Sequence, residues 1–309
     1  MKVSRRQMVA GTAATAASFV GGVWSMRAQG ASTLEFKSRE TSYAFGAGPT
    51  HGLVSLLDGA PPPVIRLRQG QPALINFTNG LEDYSTIHWH GIRLPNAMDG
   101  VPYLTQFPIA KGQTFSYNYT PPDGGTYWYH PHCMTMRQMA HGLTGLLIVE
   151  EAEDPGFDMD LPLNLKDFRI GKDGQLLDYF TPRGAARGGT LGNTLTTNWQ
   201  VEPTYDVPAG GLLRLRFVVT GTARTYRLAF PEVDGRIIAW DGHPVEEQIA
   251  WPSLREPLFV SAGQRVDVAI RVPDEEGAEL SFFNAFGGNP PELVRLRSVG
   301  KSLERDLAE

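Results

Sequence analysis

The chain contains a single cysteine, Cys133, so no disulfide closes within it. No run of basic residues occurs and the net charge is −5, which makes nucleic acid a poor partner. Beyond Trp24 no stretch approaches the roughly 20 apolar residues of a membrane span. Histidine is scarce, at seven of 309 residues. Turn formers, by contrast, are plentiful: Gly 34 and Pro 23 suit short strands joined by many turns. A hydrophobic fraction of 41% is enough to build cores, and 309 residues leave room for about two domains.

The amino terminus reads as a targeting segment. Lys2, Arg5 and Arg6 precede a mildly apolar stretch from Met8 to Trp24, and Ser4-Arg5-Arg6-Gln7-Met8-Val9 has the form of a twin-arginine signal. Ala28-Gln29-Gly30 offers small residues for cleavage, so residues 1–30 stand outside the fold argument. The mature protein is expected to be soluble and either periplasmic or exported further, having crossed a bacterial inner membrane by the twin-arginine route.

Four of the seven histidines fall in two His-x-His pairs, His88-Trp89-His90 and His130-Pro131-His132. Chance would give about 0.16 such pairs in a chain with this histidine content. On an extended strand, residues i and i+2 face the same way, so each pair aims two imidazoles at one point. Neutral imidazole suits copper, zinc, iron and nickel. Buried rings without metal would each need their own hydrogen-bond partners, which four clustered imidazoles find hard to supply.

The sequences around the pairs are Thr86-Ile87-His88-Trp89-His90-Gly91-Ile92 and Gly125-Thr126-Tyr127-Trp128-Tyr129-His130-Pro131-His132. They resemble the first two copper-binding motifs of the multicopper oxidases, the family of laccases and periplasmic cuprous oxidases. The stretch Arg137–Leu146, running into Leu147-Ile148-Val149-Glu150, is similar to the segment that follows the second motif there. The resemblance implies that His88 binds a type 2 copper and that His90, His130 and His132 bind a type 3 pair. It also implies a reaction: one-electron oxidation of a phenol or a metal ion such as Cu(I), coupled to four-electron reduction of dioxygen to water. Asp99, in Met98-Asp99-Gly100, matches an acid near the type 2 copper in family members, which implies a proton relay. An Asp-Gly turn needs no chemistry, so the residues alone leave both readings open.

Departures from the family pattern matter as much. Its type 1 copper uses a His-Cys-His motif, a His five residues after the Cys and a Met ten after it. Here Cys133 is followed by Met134, with Gln138 and Leu143 at those positions, so no type 1 site is expected in this chain. Cys133 reads instead as a small buried residue. Met134, Met136 and Met139 lie next to the second motif, and core packing is their expected role. His243, in Asp241-Gly242-His243-Pro244, sits in a turn sequence, and His141 reads as a neighbour of the site or a surface residue.

The rest of the chain alternates as β-structure does. Val64–Arg68, Pro72–Phe77, Thr114–Tyr119, Leu212–Val219 and Arg265–Ile270 read as strands bounded by turn signals. The expected fold is all-β: two consecutive cupredoxin-like Greek-key β-sandwiches at 40–151 and 160–297, joined by Ala152-Glu153-Asp154-Pro155-Gly156. Residues 298–309 are expected to form a tail or the start of a linker. Half of the cluster ligands are missing, so the 309-residue chain is expected to be inactive alone, completed by a third domain in cis or by a partner subunit. Two other readings compete: a two-domain copper protein of the small-laccase or nitrite-reductase kind, and a non-enzymatic copper-binding or cell-envelope scaffold. The HWHG motif disfavours the first, and retention of all four histidines disfavours the second.

Overall fold

The computed structural model describes residues 16–20, 23–27, 33–46, 48–247 and 249–307. Strands dominate. The first sandwich is built from β1 (Ala16–Val20), β2 (Val23–Arg27), β3 (Thr33–Lys37), β4 (Arg39–Ala44), β5 (Pro49–Ser55), β6 (Val64–Arg68), β7 (Ala73–Thr78), β8 (His88–His90), β9 (Thr114–Tyr119), β10 (Gly125–His130) and β11 (Gly145–Glu150). One of its sheets runs β1-β2-β6-β11-β10-β8; facing it is β3-β7-β9, with β4 and β5 paired at the side.

The second sandwich holds β12 (Met159–Phe168), β13 (Thr194–Thr197), β14 (Thr204–Pro208), β15 (Leu212–Val219), β16 (Tyr226–Ala229), β17 (Gly235–Trp240), β18 (His243–Pro244), β19 (Leu258–Val260), β20 (Arg265–Arg271), β21 (Glu279–Asn284) and β22 (Glu292–Val299). Its sheets run β13-β12-β15-β20-β17-β18 and β14-β22-β21-β16-β19.

Pairing extends past the boundaries expected from sequence. β3 pairs in parallel with β7, so the first sandwich takes in residues ahead of 40. At the other end β22 runs to Val299, and Leu303 and Arg305 hydrogen-bond back to Ala209 and Gly210, so this part of the tail packs onto the second sandwich. The twin-arginine residues and the Ala28–Gly30 stretch lie outside the described residues. Between them, β2 pairs in parallel with β6, Met26 opposite Ile65.

Alternation on three adjacent strands decides where the site sits. On β10, Tyr127 and Tyr129 point into the core of the first sandwich, while Trp128 joins the core shared with the second. β11 divides the same way, Leu147 and Val149 inward, Leu146 and Ile148 toward the second sandwich. On β8, Trp89 takes the inner face and is 1% exposed. This sheet is therefore buried on both faces. Its near-continuous run of aromatic and aliphatic residues follows from that, as does the choice of β-branched and aromatic types. The outer face, which packs on the second sandwich, is also the face that carries His88, His90 and His130.

Candidate metal centre

β8 and β10 pair antiparallel, with His88 opposite His130 and His90 opposite Trp128. Cross-strand neighbours on one face lie about 4.5–5.5 Å apart at Cβ, so strand geometry alone brings the two motifs together. The ring centroids of His88 and His130 are 5.2 Å apart, and ring nitrogens of His88, His90 and His130 all lie within 4.8 Å of one another. His132 follows Pro131 off the strand end; its ring stacks on His130 at 5.1 Å and approaches His88 at 4.8 Å. Its backbone N–H is held by Thr86 Oγ1 at 3.2 Å. The four histidines singled out in the sequence are thus in one place, three tightly grouped and the fourth flanking them.

Second partners orient the rings. His88 Nδ1–H donates to the Asp99 carbonyl at 2.7 Å, which leaves Nε2 as its free lone pair. His130 Nδ1 donates to the Pro131 carbonyl at 3.2 Å, again freeing Nε2. His90 is turned the other way: its Nδ1 lies 3.4 Å from His130 Nε2. The Asp99 carboxylate is 3.3 Å from His88 Nδ1 and about one-third exposed. Asp99 reaches this position because the loop turns at Gly100 (φ +78), whose Cα packs against the Ile87 carbonyl.

Burial, with the Arg265 guanidinium next in weight, lowers His90 to about 4. Burial and the neighbouring His88 lower His130 to about 3, and burial lowers His132 as well. These rings are neutral near pH 7, the form that binds a metal ion. The donor set fits copper: several neutral imidazoles, borderline in softness, with no acidic oxygen among the three grouped ligand atoms.

The same shifts make the metal-free fold sensitive to acid. The folded values lie below the ordinary value near 6.5, so between the two the unfolded chain binds protons that the folded chain does not. Stability is full above about pH 6.5 and falls as pH drops toward 4. The urea midpoint of the metal-free chain should be lower at about pH 5.5 than at about pH 7.5, and His130→Gln should reduce that difference. Equal midpoints at the two values would contradict the burial of these rings.

Other residues prominent in the sequence fall outside the cluster. Cys133 is buried and unpaired, its thiol pushed up by burial. His141 caps a short helix, α1 (Thr135–Ala140), and its Nδ1 bonds the Gly52 carbonyl at 2.9 Å. His243 is exposed at the start of β18. Packing accounts for Met139, which is 8% exposed, but Met134 and Met136 are half-exposed and do not fill a core.

Several residues that shape the site carry no local sequence signal. α1 is pinned by Gln138, which accepts from Ser85 Oγ and donates to the Tyr84 carbonyl, both at 2.8 Å. Lys166 of the second sandwich, fully buried and lowered by that burial to about 8, donates to the Met139 carbonyl at 2.6 Å. Asp267 accepts from Thr126 Oγ1 on β10 and from Arg214 and Arg216. Arg265 donates to the Thr126 carbonyl at 3.2 Å. Each joins residues far apart in sequence; the abundance of charge on β15 and β20 hints at Arg214, Arg216, Arg265 and Asp267 but not at Gln138 or Lys166.

A family model described as multicopper oxidase matches residues 39–154, which hold both His-x-His motifs. A multi-copper oxidase from Pseudomonas thermotolerans is 37% identical with a TM-score of 0.80, over 90% of this chain and 66% of that one. Lac15 from a marine microbial metagenome is 31% identical with a TM-score of 0.76, over 90% of this chain and 69% of that one. The iron transport multicopper oxidase FET3 of Kluyveromyces lactis is 29% identical over 76% of this chain, which spans 37% of that relative's length. These neighbours share the pair of cupredoxin-like sandwiches. With its two His-x-His motifs facing each other across β8 and β10, the chain belongs to the multicopper oxidase family.

Proposed function

We propose that this chain supplies the first half of the dioxygen-reducing copper cluster of an exported oxidase. The observation that carries the reading is the meeting of His88, His90 and His130 nitrogens within 4.8 Å, on strands whose opposite face is locked in a core. His88, its Nε2 left free by the Nδ1 bond to Asp99, would hold the type 2 ion, and His90, His130 and His132 would hold the type 3 pair. Copper bound there supplies one-electron transfers to dioxygen, ending in water. The chain's own residues do the rest. Trp128, stacked on His130 at 4.3 Å, shields the rings from water on one side. The carbonyls of Asp99 and Pro131 fix the ring tautomers. The Asp99 carboxylate, open to solvent and beside His88, passes protons toward the cluster.

The electron donor is a phenol or a metal ion, Cu(I) included; the name of the yeast relative, an iron transport oxidase, favours a metal ion. A type 1 site to accept these electrons would have to come from a further cupredoxin domain, in cis or on a partner subunit. The 309-residue chain by itself is then inactive as an oxidase. Export follows the twin-arginine route, supported by Ser4–Val9 and the small residues at 28–30.

Replacing His88 or His130 with alanine should lower copper affinity by about 100-fold or more, since each removes a direct ligand. Asp99→Asn should leave copper content unchanged, because the Asp99 backbone carbonyl and not its carboxylate makes the 2.7 Å bond to His88. In the completed enzyme the same change should slow oxygen reduction by about 100-fold, less so at lower pH where solvent protons substitute. Copper loss in Asp99→Asn would instead assign Asp99 a purely structural place in the loop.

A further inference from the structure

Among the charged side chains that the second sandwich sets against β10, Arg265 also reaches the end of β8. Arg265 opens β20 and is 5% exposed. Its Nε donates to the Thr126 carbonyl of β10 at 3.2 Å, its Nη1 to the Gly263 carbonyl at 3.1 Å and its Nη2 to the Asp241 carbonyl at 2.7 Å. The guanidinium lies directly against Gly91, the residue after His90. A Cβ placed on Gly91 would stand 2.3 Å from Nη2 and 3.0 Å from Cζ. The turn before it approaches the ligand itself: a Cβ on Gly263 would lie 3.6 Å from His90 Cε1 and 3.7 Å from Nε2. The edge of His90 that faces away from the other histidines therefore rests on the Gly263–Arg265 turn. The partner carboxylate of Arg265, Asp241, is 3.1 Å from Nη1 and more than one-third exposed, so its field is partly screened by water. The guanidinium is buried on the cluster side, where charges act over longer range.

We propose that Arg265 is a positioning residue of the copper site that also sets its oxidation-state preference. The inference rests on the reading that the histidine cluster binds copper. Arg265 holds the Thr126 end of β10 and the Gly91 end of β8 on one rigid fork, which keeps His130 and His90 in register. Its fixed positive charge disfavours the cupric ion, with two charges, more than the cuprous ion, with one. For charges roughly 10 Å apart at an effective dielectric near 20, the bias is about tenfold in the ratio of cuprous to cupric affinity, or about 59 mV for a one-electron couple. The second sandwich then tunes the ions that the first binds.

Three variants of the full chain test this, with Cu(I) affinity measured against a cuprous chelator and Cu(II) affinity by competition and electron paramagnetic resonance. Arg265→Gln removes the charge and should lower the cuprous-to-cupric ratio by about three- to tenfold. Arg265→Lys keeps the charge, loses the fork and should hold the ratio near wild type while weakening both affinities. Asp241→Asn removes the opposing charge yet keeps an Oδ1 acceptor, and should move the ratio upward. A purely structural role would shift Arg265→Gln and Asp241→Asn alike or leave the ratio fixed, and either result overturns the proposal. If Arg265→Gln does not fold, the upward shift in Asp241→Asn decides alone. A wild-type chain that binds no copper overturns the underlying function reading itself, whereas copper binding with unshifted ratios overturns only the role of Arg265.

Discussion

Asp267→Ala should destabilise the chain by about 3–5 kcal/mol, a large share of the stability of an ordinary protein. Asp267 is 1% exposed and sits where β20 of the second sandwich meets β10 of the first. Its carboxylate accepts from Thr126 Oγ1 at 2.7 and 2.8 Å, from Arg214 Nη2 at 2.7 Å and Nε at 3.1 Å, and from Arg216 Nη1 at 3.3 Å. Arg216 is fully buried and also bonded to Asp160 at 2.6 and 2.7 Å, while Arg214 has Glu151 as its other partner. Removing Asp267 leaves Arg214 with only Glu151 and Arg216 with only Asp160, both partly exposed carboxylates, so two buried guanidiniums are left under-compensated. Asp267→Asn, which keeps the shape and one acceptor, should cost less than half as much. Urea unfolding of the two variants checks both values, and a loss below about 1 kcal/mol in Asp267→Ala would contradict the network as drawn.

Gly100→Ala should have the second large effect, and on copper rather than on stability alone. Gly100 has φ +78, a region costly for alanine, and its added Cβ would fall 1.8 Å from the Ile87 carbonyl oxygen and 2.5 Å from its carbon. Both are backbone atoms immediately before His88, so no side chain can move aside to make room. Relief requires the 96–100 loop to leave β8, and the Asp99 carbonyl goes with it. His88 then loses the bond that frees its Nε2 for metal. Losses of an orienting partner typically cost about 10–100-fold in metal affinity, and this variant should fall in that range. Gly112→Ala serves as the control, since it shares φ +78 but has open space around it. Equal copper affinity in the two variants would show that the loop does not orient His88.

The sequence discloses the site unevenly, for physical reasons. A His-x-His pair declares itself because strand periodicity is two, so the residues that share a face are neighbours in the text. The strands at 64–68, 114–119, 212–219 and 265–271 are legible for the same reason. α1 is not: Thr135–Ala140 is a six-residue helix entered from Met134 in a left-handed conformation (φ 46), with no side-chain cap to mark its start. Its stability comes from Gln138 and Lys166, contacts that local pattern cannot show. Nor does the text reveal that β10 is buried on both faces, or that Thr126 is bonded across 141 residues to Asp267. Gly263-Gln264-Arg265 reads as an ordinary turn into a strand, yet it lies against His90. Residues that couple the sandwiches depend on long-range pairing, and no period or spacing in one segment encodes a partner in another.

Whether the two His-x-His motifs form one copper site is decided by the copper content of the purified chain after exhaustive dialysis, beside His88→Ala and His130→Ala of equal fold by circular dichroism. A shared site gives stoichiometric copper in the wild-type chain and near-complete loss in both variants. Equal copper in all three, or none in the wild type under copper-replete conditions, would contradict it.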